Sequence, residues 1–131
     1  MPAIGTCSAQ NDTVTERIPT GITLHQKSRI LEIAFSDGRS FRLPYELLRV
    51  YSPSAEVRGH GPGQEVLQVG KRAVEIRVLE PVGSYAVQPQ FSDGHSTGIY
   101  SWDYLYELGD NQESLWSQYL ERLKAANASR E

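Results

Sequence analysis

Apolar and polar residues alternate in five short runs along the chain, and these runs are its clearest structural signal. They cover residues 22–26, 29–35, 40–43, 75–79 and 85–91. A period of two residues is typical of β-strands that bury one face. Within each half of the chain, short segments rich in turn-forming residues separate the runs. The pattern therefore predicts antiparallel hairpins, with a three-stranded meander in the first half.

Other segments carry apolar residues at helical spacing. Residues 45–50 predict one short helix, and residues 99–108, which are rich in aromatic side chains, predict another. Gly109 follows directly and is expected to be the C-cap of that helix. Residues 111–126 predict a last helix, after which residues 127–131 are expected to fray.

The last predicted helix has a stripe of large apolar side chains. The stripe consists of Leu115, Trp116, Tyr119, Leu120 and Leu123. These positions fall on one face of a helix. Packing against the core of the domain is the first explanation for the stripe. A homodimer interface through residues 113–124 is the alternative.

Together these elements predict an α+β domain, with a small and mainly antiparallel sheet of about five strands and two or three short helices. A chain of 131 residues suits one such domain. We divide it into a flexible N-terminal arm (1–20), the folded domain (21–109) and a C-terminal helix with its tail (110–131). Residues 52–68 are rich in glycine and proline and predict a long loop, which in a compact domain is usually functional or mobile.

Composition narrows the class of protein. The net charge of -3 and the pI near 5.6 argue against a nucleic-acid platform, which normally has a basic face. Cys7 is the single cysteine, so an intramolecular disulfide and a multi-cysteine metal site are both excluded. The sequence shows neither the ~20 apolar residues of a membrane helix nor the basic-then-apolar order of a signal peptide. We expect a cytoplasmic protein that binds neither nucleic acid nor membranes.

Complete catalytic motifs do not occur in the sequence. The serines are not accompanied by a Gly-x-Ser-x-Gly elbow, and the glycines of residues 59–64 are not followed by the lysine and hydroxyl of a phosphate loop. Non-haem iron oxygenases hold their metal with two histidines and a carboxylate. The candidates for such a set are His25, His60 and His95 together with Asp93, although their spacing does not specify one. We therefore expect a protein that is not an enzyme.

A short sequence element occurs twice. Residues 35–40 (FSDGRS) are echoed by residues 91–96 (FSDGHS), 56 positions later (91 minus 35). One interpretation is a duplicated strand-turn unit in which His95 stands where the first copy has Arg39. The other is that Asp-Gly turns are common and recur by chance, because both residues tolerate the backbone angles of tight turns.

Two longer segments resemble a known family. Residues 47–64 (LLRVYSPSAEVRGHGPGQ) and 93–105 (DGHSTGIYSWDYL) are similar to stand-alone bacterial members of the gamma-butyrobetaine hydroxylase-like N-terminal domain family. The similarity spans about residues 22–108. Stand-alone members have no settled biochemical function. Related domains precede the iron(II)/2-oxoglutarate oxygenase domain of carnitine-synthesis enzymes, and others are fused to iron–sulfur cluster carriers of the P-loop ATPase class.

The resemblance also implies a metal site that this chain has lost. In the hydroxylases the domain resembles a small zinc-binding module with a Cys-x-Cys-x-x-Cys run and a later histidine. Ser52, Ser54 and Val57 occupy the three cysteine places here, and His95 matches the histidine. Neutral hydroxyls are poor zinc ligands. We expect no metal or other cofactor, with polar contacts joining the 52–64 loop to the 93–95 turn instead.

These observations lead to two functional hypotheses. The first is a non-catalytic binding or adaptor domain with a protein partner, linked to iron–sulfur or other metalloenzyme machinery. Its predicted binding surface consists of Arg49, Arg58, His60, Asp93, His95, Tyr100 and Trp102. The alternative is a metal-binding accessory protein that holds iron or zinc through His60 and His95, with Asp93 as a further ligand.

Overall fold

A computed structural model of the chain describes residues 18–58 and 66–131. Its strands are β1 (Pro19–His25), β2 (Ile30–Phe35), β3 (Ser40–Pro44), β4 (Ile76–Val82), β5 (Ala86–Phe91) and β6 (Tyr100–Ser101). Its helices are α1 (Tyr45–Val50), α2 (Ala55–Arg58), α3 (Trp102–Asp110) and α4 (Gln112–Ala125). The predicted α+β class is confirmed. Most of the predicted N-terminal arm, including Cys7, lies outside the described residues, and β1 begins at Pro19.

The strands form two sheets rather than the single sheet that the sequence predicts. β1, β2 and β3 make one antiparallel sheet in that order, and β4, β5 and β6 make the other. The sixth strand went unpredicted because β6 has only two residues, too few to show alternation. α3 packs along β3, where the rings of Phe41 and Tyr106 lie 5.2 Å apart.

The buried faces of both sheets and the helices between them enclose one main core. β2 shows the predicted alternation directly, since Leu31, Ile33 and Phe35 are buried while the residues between them are half-buried. Tyr45 of α1 and Tyr100 of β6 are fully enclosed. Apolar burial of this kind contributes about 25 cal/mol per Å² of buried surface and is the main stabilising term of such a domain.

The structure has four described helices instead of two or three, and Gly109 is not a C-cap. α3 continues through Gly109 to Asp110, and α4 begins two residues later. A Cβ atom at Gly109 would lie 2.3 Å from Cγ of Phe41. Glycine is needed at this position because β3 approaches the helix closely, and not because the chain turns there. The additional helix, α2, is a single turn within the predicted loop.

The C-terminal tail is bound to the domain, which corrects the expectation that it frays. The N–H groups of Gly70 and Arg72 donate to the carbonyls of Ser129 (3.1 Å) and Arg130 (3.0 Å). The guanidinium of Arg130 makes two hydrogen bonds, of 2.8 and 3.0 Å, with the buried carboxylate of Glu46. Sequence periodicity could not indicate this docking because it depends on residues 84 positions apart in the chain.

The stripe on α4 serves mainly as core. Tyr119 and Leu123 are buried, Leu115 and Trp116 are half-buried, and Leu120 is 40% exposed. A homodimer through residues 113–124 stays a prediction. Of the helices in the described parts of the chain, none combines the length and apolar character needed to cross a membrane.

Candidate functional site: a buried polar junction

A group of polar side chains joins the segment after α1 to the turn after β5. We call it the polar junction and define it by Arg49, Ser52, Ser54, Asp93, His95 and Thr97. Four of its members, Arg49, Ser52, Ser54 and His95, are buried. Buried polar groups are costly unless they are hydrogen-bonded, so their partners decide what the junction can do.

His95 is the centre of the junction, and its side chain is only 4% exposed. Its Nε2 lies 2.9 Å from Oγ of Ser52, and its Nδ1 lies 3.3 Å from Oε1 of Glu56. Burial lowers the pKa of His95, and the nearby Arg49 guanidinium lowers it further, against the opposing effects of Glu56 and Asp93. A lowered pKa favours the neutral imidazole.

The neighbours of the ring also set its tautomer. A carboxylate oxygen can only accept a hydrogen bond, so the carboxylate of Glu56, 3.3 Å from Nδ1 of His95, favours the tautomer with the proton on Nδ1. Nε2 is then the acceptor, and the hydroxyl of Ser52 donates to it. Oγ of Ser52 in turn accepts from the N–H of Ser54 at 3.2 Å. In this tautomer, hydrogen bonds run from the N–H of Ser54 through Ser52 to Nε2, and Nδ1 faces the carboxylate of Glu56.

Asp93 connects the junction to two cations. Its Oδ2 accepts from Nε of Arg49 at 2.9 Å and from Nζ of Lys71 at 2.6 Å, while Oδ1 accepts from the N–H of His95 at 3.1 Å. Burial opposes ionisation of Asp93, but the hydrogen bonds from Lys71, His95 and Arg49 lower its pKa to about 2. Asp93 is therefore ionised at neutral pH and holds Arg49 and the turn together.

Close packing completes the junction. Oγ of Ser54 lies 2.7 Å from Oγ1 of Thr97, which ties the start of α2 to the segment before β6. A Cβ atom at Gly98 would lie 2.4 Å from Oγ of Ser52. Only glycine allows this approach. The contact predicted between the 52–64 loop and the 93–95 turn is thus present for the described part of that loop, as hydrogen bonds.

The residues of the predicted binding surface fall into two groups. Arg49, His95 and Tyr100 are buried, so a partner could not contact most of their side-chain surface directly. Tyr100 donates its hydroxyl hydrogen to the carbonyl of Leu48, and burial raises its pKa. Burial of this kind could not be read from residue type, because arginine, histidine and tyrosine are often exposed.

The remaining surface residues are accessible or lie outside the described residues. The guanidinium of Arg58 is exposed and lies 5.1 Å from the centre of the Tyr104 ring. Trp102 is half-buried, and its indole N–H donates to the carbonyl of Ser84 at 2.8 Å. His60 belongs to residues 59–65, which the structure does not describe.

Sequence reasoning missed four contributors: Glu56, Lys71, Thr97 and Gly98. The spacing Ser52-x-Ser54-x-Glu56 gave one signal, since it places three hydrogen-bonding side chains at alternate positions. Lys71 gave none, because it reaches Asp93 across 22 residues.

The order Glu56, His95 and Ser52 is that of a hydrolytic triad, but the serine is not accessible to a substrate in this structure. A nucleophile must be reached by its substrate. Ser52 is 1% exposed, and Gly98 lies against its hydroxyl. An open groove of about 1080 Å³ lies elsewhere, between the start of α1 and the α3–α4 connection, where it is lined by Leu47 and Trp116 among others. The junction is therefore an internal contact.

The chain matches the family described as "Gamma-butyrobetaine hydroxylase-like, N-terminal" over residues 22–106. The match covers most of the described fold and every residue of the polar junction. The chain belongs to this family. Comparison with curated proteins gives no match.

Solved structures of similar proteins agree with this membership of the gamma-butyrobetaine hydroxylase-like family. Two NMR solution structures are 48% and 54% identical to the chain, with TM-scores of 0.76 and 0.77. The alignment with the first covers 88% of this chain and 90% of the other, and the alignment with the second covers 91% and 89%. A crystal structure of a DUF971 protein of unknown function from Acidithiobacillus ferrooxidans is 41% identical, with a TM-score of 0.59. It covers 70% of this chain and 91% of its own.

The zinc module that the gamma-butyrobetaine hydroxylase-like resemblance implies does not fit the residues present. Ser52 and Ser54 offer neutral hydroxyls, Val57 offers no donor atom, and Nε2 of His95 is already bonded to Ser52. Within residues 18–58 and 66–131, no group of three or more histidine, cysteine, aspartate or glutamate side chains could hold a metal ion. Iron or zinc binding that involves His60 stays a prediction.

Proposed function

We propose that the protein is a non-catalytic binding or adaptor domain that recognises a protein partner in the cytoplasm. The observation that supports the proposal most is how the polar junction uses its side chains. Ser52 and His95 are buried and hydrogen-bonded to each other, and Arg49 binds Asp93 through Nε while its buried Nη1 has no hydrogen-bond partner among the described residues. The side chains best suited to catalysis or ligand binding therefore hold two segments in place. Side chains engaged in this way position the surface above them.

The surface positioned by the junction has the mixed character of a protein interface. Arg58 and Glu56 project from α2, and Ile99, which follows Gly98, is 45% exposed. Tyr85 is 58% exposed, and its carbonyl accepts a hydrogen bond from the backbone N–H of Trp102. Arginine and aromatic side chains are enriched in interfaces. An interaction with iron–sulfur or other metalloenzyme machinery is the more specific form of the proposal, and it depends on the fusions found among related domains.

Affinity capture with matched variants tests this proposal. The tagged wild-type protein is used to capture partners from cells of its own source, and captured proteins are quantified by mass spectrometry. We expect the Arg58→Ala/Ile99→Ala variant to lose at least about tenfold of a specific partner, corresponding to roughly 1.4 kcal/mol. The control variant Lys124→Ala/Leu120→Ala also removes one exposed cation and one exposed apolar side chain, but from α4.

The control separates recognition by this surface from general effects of surface mutation. Equal capture by the wild type and the Arg58→Ala/Ile99→Ala variant would exclude the surface. Loss in the α4 variant alone would instead place binding on the face predicted for a homodimer, and size-exclusion chromatography would distinguish the two cases. Absence of any specific partner of the wild type would contradict the adaptor function itself.

A further inference from the structure

The two sheets have the same strand register when one hairpin is placed on the other by a nearly constant shift along the chain. The first hairpin pairs Pro19↔Phe35, Gly21↔Ala34, Ile22↔Ile33, Thr23↔Glu32, Leu24↔Leu31 and His25↔Ile30. The second pairs Ile76↔Phe91, Val78↔Gln90, Leu79↔Pro89, Glu80↔Gln88, Pro81↔Val87 and Val82↔Ala86. Equivalent residues of β1 and β4 are 57 positions apart (76 minus 19), and equivalent residues of β2 and β5 are 56 positions apart (91 minus 35). Even the irregularity in the register occurs at the same place.

The turns that follow the second strand of each sheet are also alike. In the first, the N–H of Phe35 donates to the carbonyl of Arg39 at 2.8 Å, and in the second that of Phe91 donates to His95 at 2.9 Å. Asp37 and Asp93 each accept from the N–H two residues later, at 2.9 and 3.1 Å. The following glycines have φ angles of 91° and 92°. Chance recurrence of an Asp-Gly dipeptide does not explain this agreement.

The helices α1 and α3 are equivalent as well, and each of them contacts the turn of the other half. The first N–H of α1, from Tyr45, donates to the carbonyl of Arg29, and that of α3, from Trp102, donates to Tyr85. Further along, Arg49 of α1 binds Asp93 in the second turn. Tyr106 of α3 stands at the equivalent helix position (106 minus 49 is again 57) and donates to Asp37 in the first turn at 2.6 Å. Each helix therefore docks on the turn of the other half.

The closest contact in each half is equivalent as well, but its chemistry differs. In the first, the ring of Phe41 lies against the bare backbone of Gly109. The same shift of 57 relates Phe41 to Gly98 and Ser52 to Gly109 (98 minus 41, and 109 minus 52), and the hydroxyl of Ser52 lies against Gly98. We call these two contacts the first and second joint. The glycine of the first joint, Gly109, lies in a helix, whereas that of the second, Gly98, lies just before a strand.

We infer that the domain is a tandem duplication of one β-β-β-α unit with exchanged helices, and that the polar junction is the copy specialised for recognition. The fold does not require Ser52 at this joint, because the equivalent pair, Gly109 and Phe41, makes the same joint with an aromatic ring. The first half has Arg39 in the place of His95, and that side chain is 48% exposed and pairs with Asp110. A buried polar network where an apolar contact suffices points to a role other than stability. The recognition part of this inference rests on the proposed function, whereas the duplication stands independently.

A double-mutant cycle tests the duplication. Gly98→Phe alone places a ring against Ser52, and overpacking of this kind should lower the melting temperature by about 5 °C or more. Ser52→Gly with Gly98→Phe recreates the Phe41–Gly109 pair, and we expect it to recover at least half of that loss. If Gly98→Phe does not fold, recovery of folded protein in the double variant is the readout. A double variant no more stable than Gly98→Phe would overturn the equivalence.

The same double variant tests the specialisation. Because it keeps the fold and removes Ser52 from His95, it should lose at least about tenfold of the partner that the wild type captures. The control is Tyr106→Phe, which removes the hydroxyl that binds Asp37 in the first turn, the equivalent of the Arg49–Asp93 contact, and should retain the partner. Full capture by the folded double variant would overturn the specialisation. If the wild type captures no specific partner, the proposed function fails and the stability cycle still decides the duplication.

Discussion

His95 lies between two oxygen atoms, the hydroxyl of Ser52 and the carboxylate of Glu56, inside a protein that leaves 4% of its side chain exposed. The same residue type in a solvated turn would titrate near pH 6.5 and bind many partners. Because the ring is buried and its nitrogens face Ser52 and Glu56, His95 has one role here. It holds the segment after α1 against the turn after β5. Single residues therefore determine whether the junction is a reactive site or a structural one.

The lowered pKa of His95 predicts a pH dependence of stability. The unfolded state binds a proton to this residue near pH 6.5, and the folded state does so only at lower pH. Its contribution is complete above about pH 6.5 and decreases as the pH falls below that value. We expect the melting temperature of the wild type to fall more between pH 7 and pH 5 than that of His95→Asn. Calorimetry at several pH values measures the difference, and equal slopes would refute it.

The close approach of Gly98 to Ser52 predicts that any side chain at position 98 destabilises the domain. Gly98→Ala should destabilise the domain by roughly 1–3 kcal/mol because the new Cβ atom overlaps Oγ of Ser52. Gly21→Ala is the control, because a Cβ atom there meets nothing within 4 Å. Urea unfolding measures both. A Gly98→Ala variant as stable as the control would show that the segment before β6 moves freely.

At the scale of elements, the tail after α4 behaves as part of the fold. Its backbone pairs with residues 70–72, and Arg130 reaches across to Glu46, which is 6% exposed. Trp116 lies under the same guanidinium at 5.1 Å from the ring centre. The tail thus fastens α4 to α1 and covers the small cluster formed by Val50, Tyr119 and Leu123.

This docking predicts unequal effects of two arginine substitutions. Arg130→Ala should cost roughly 1–3 kcal/mol, because it leaves the buried carboxylate of Glu46 without its partner. Arg72→Ala should cost less than about 0.5 kcal/mol, because its ion pair with Glu131 is exposed. Denaturant midpoints of the two variants give the comparison. Equal midpoints would indicate that the tail is not docked in solution.

Local pattern predicted most elements, and the failures have physical causes. Alternation predicted β2, since one face of that strand is buried. It could not predict β6, because the two residues that pair with β5 are too few to show alternation. Gly109 looked like a helix end because glycine is common there, whereas its actual reason is the Phe41 ring. The site was only half predictable: His95 and Asp93 belong to a recognisable turn, but their burial depends on contacts with a segment far away in the sequence.

At the scale of the whole molecule, two sheets of three strands enclose one core, and the exchanged helices make neither half independent of the other. Arg49 of the first half binds Asp93 of the second, and Tyr106 of the second binds Asp37 of the first. Such reciprocal contacts should make unfolding cooperative. The surface that we propose for partner recognition lies where α2 and the segment before β6 meet over the polar junction.

The state of the His95 ring tests the central claim most directly, because it reports whether the junction is an internal hydrogen-bonded contact. Long-range ¹⁵N–¹H NMR spectra of the untagged protein at pH 7 distinguish the protonated nitrogen of each imidazole. We expect a neutral ring with the proton on Nδ1, slow exchange of that proton with water, and Nε2 with the chemical shift of an acceptor. A charged ring, the opposite tautomer, or a shift that moves on addition of zinc or iron(II) would contradict the account.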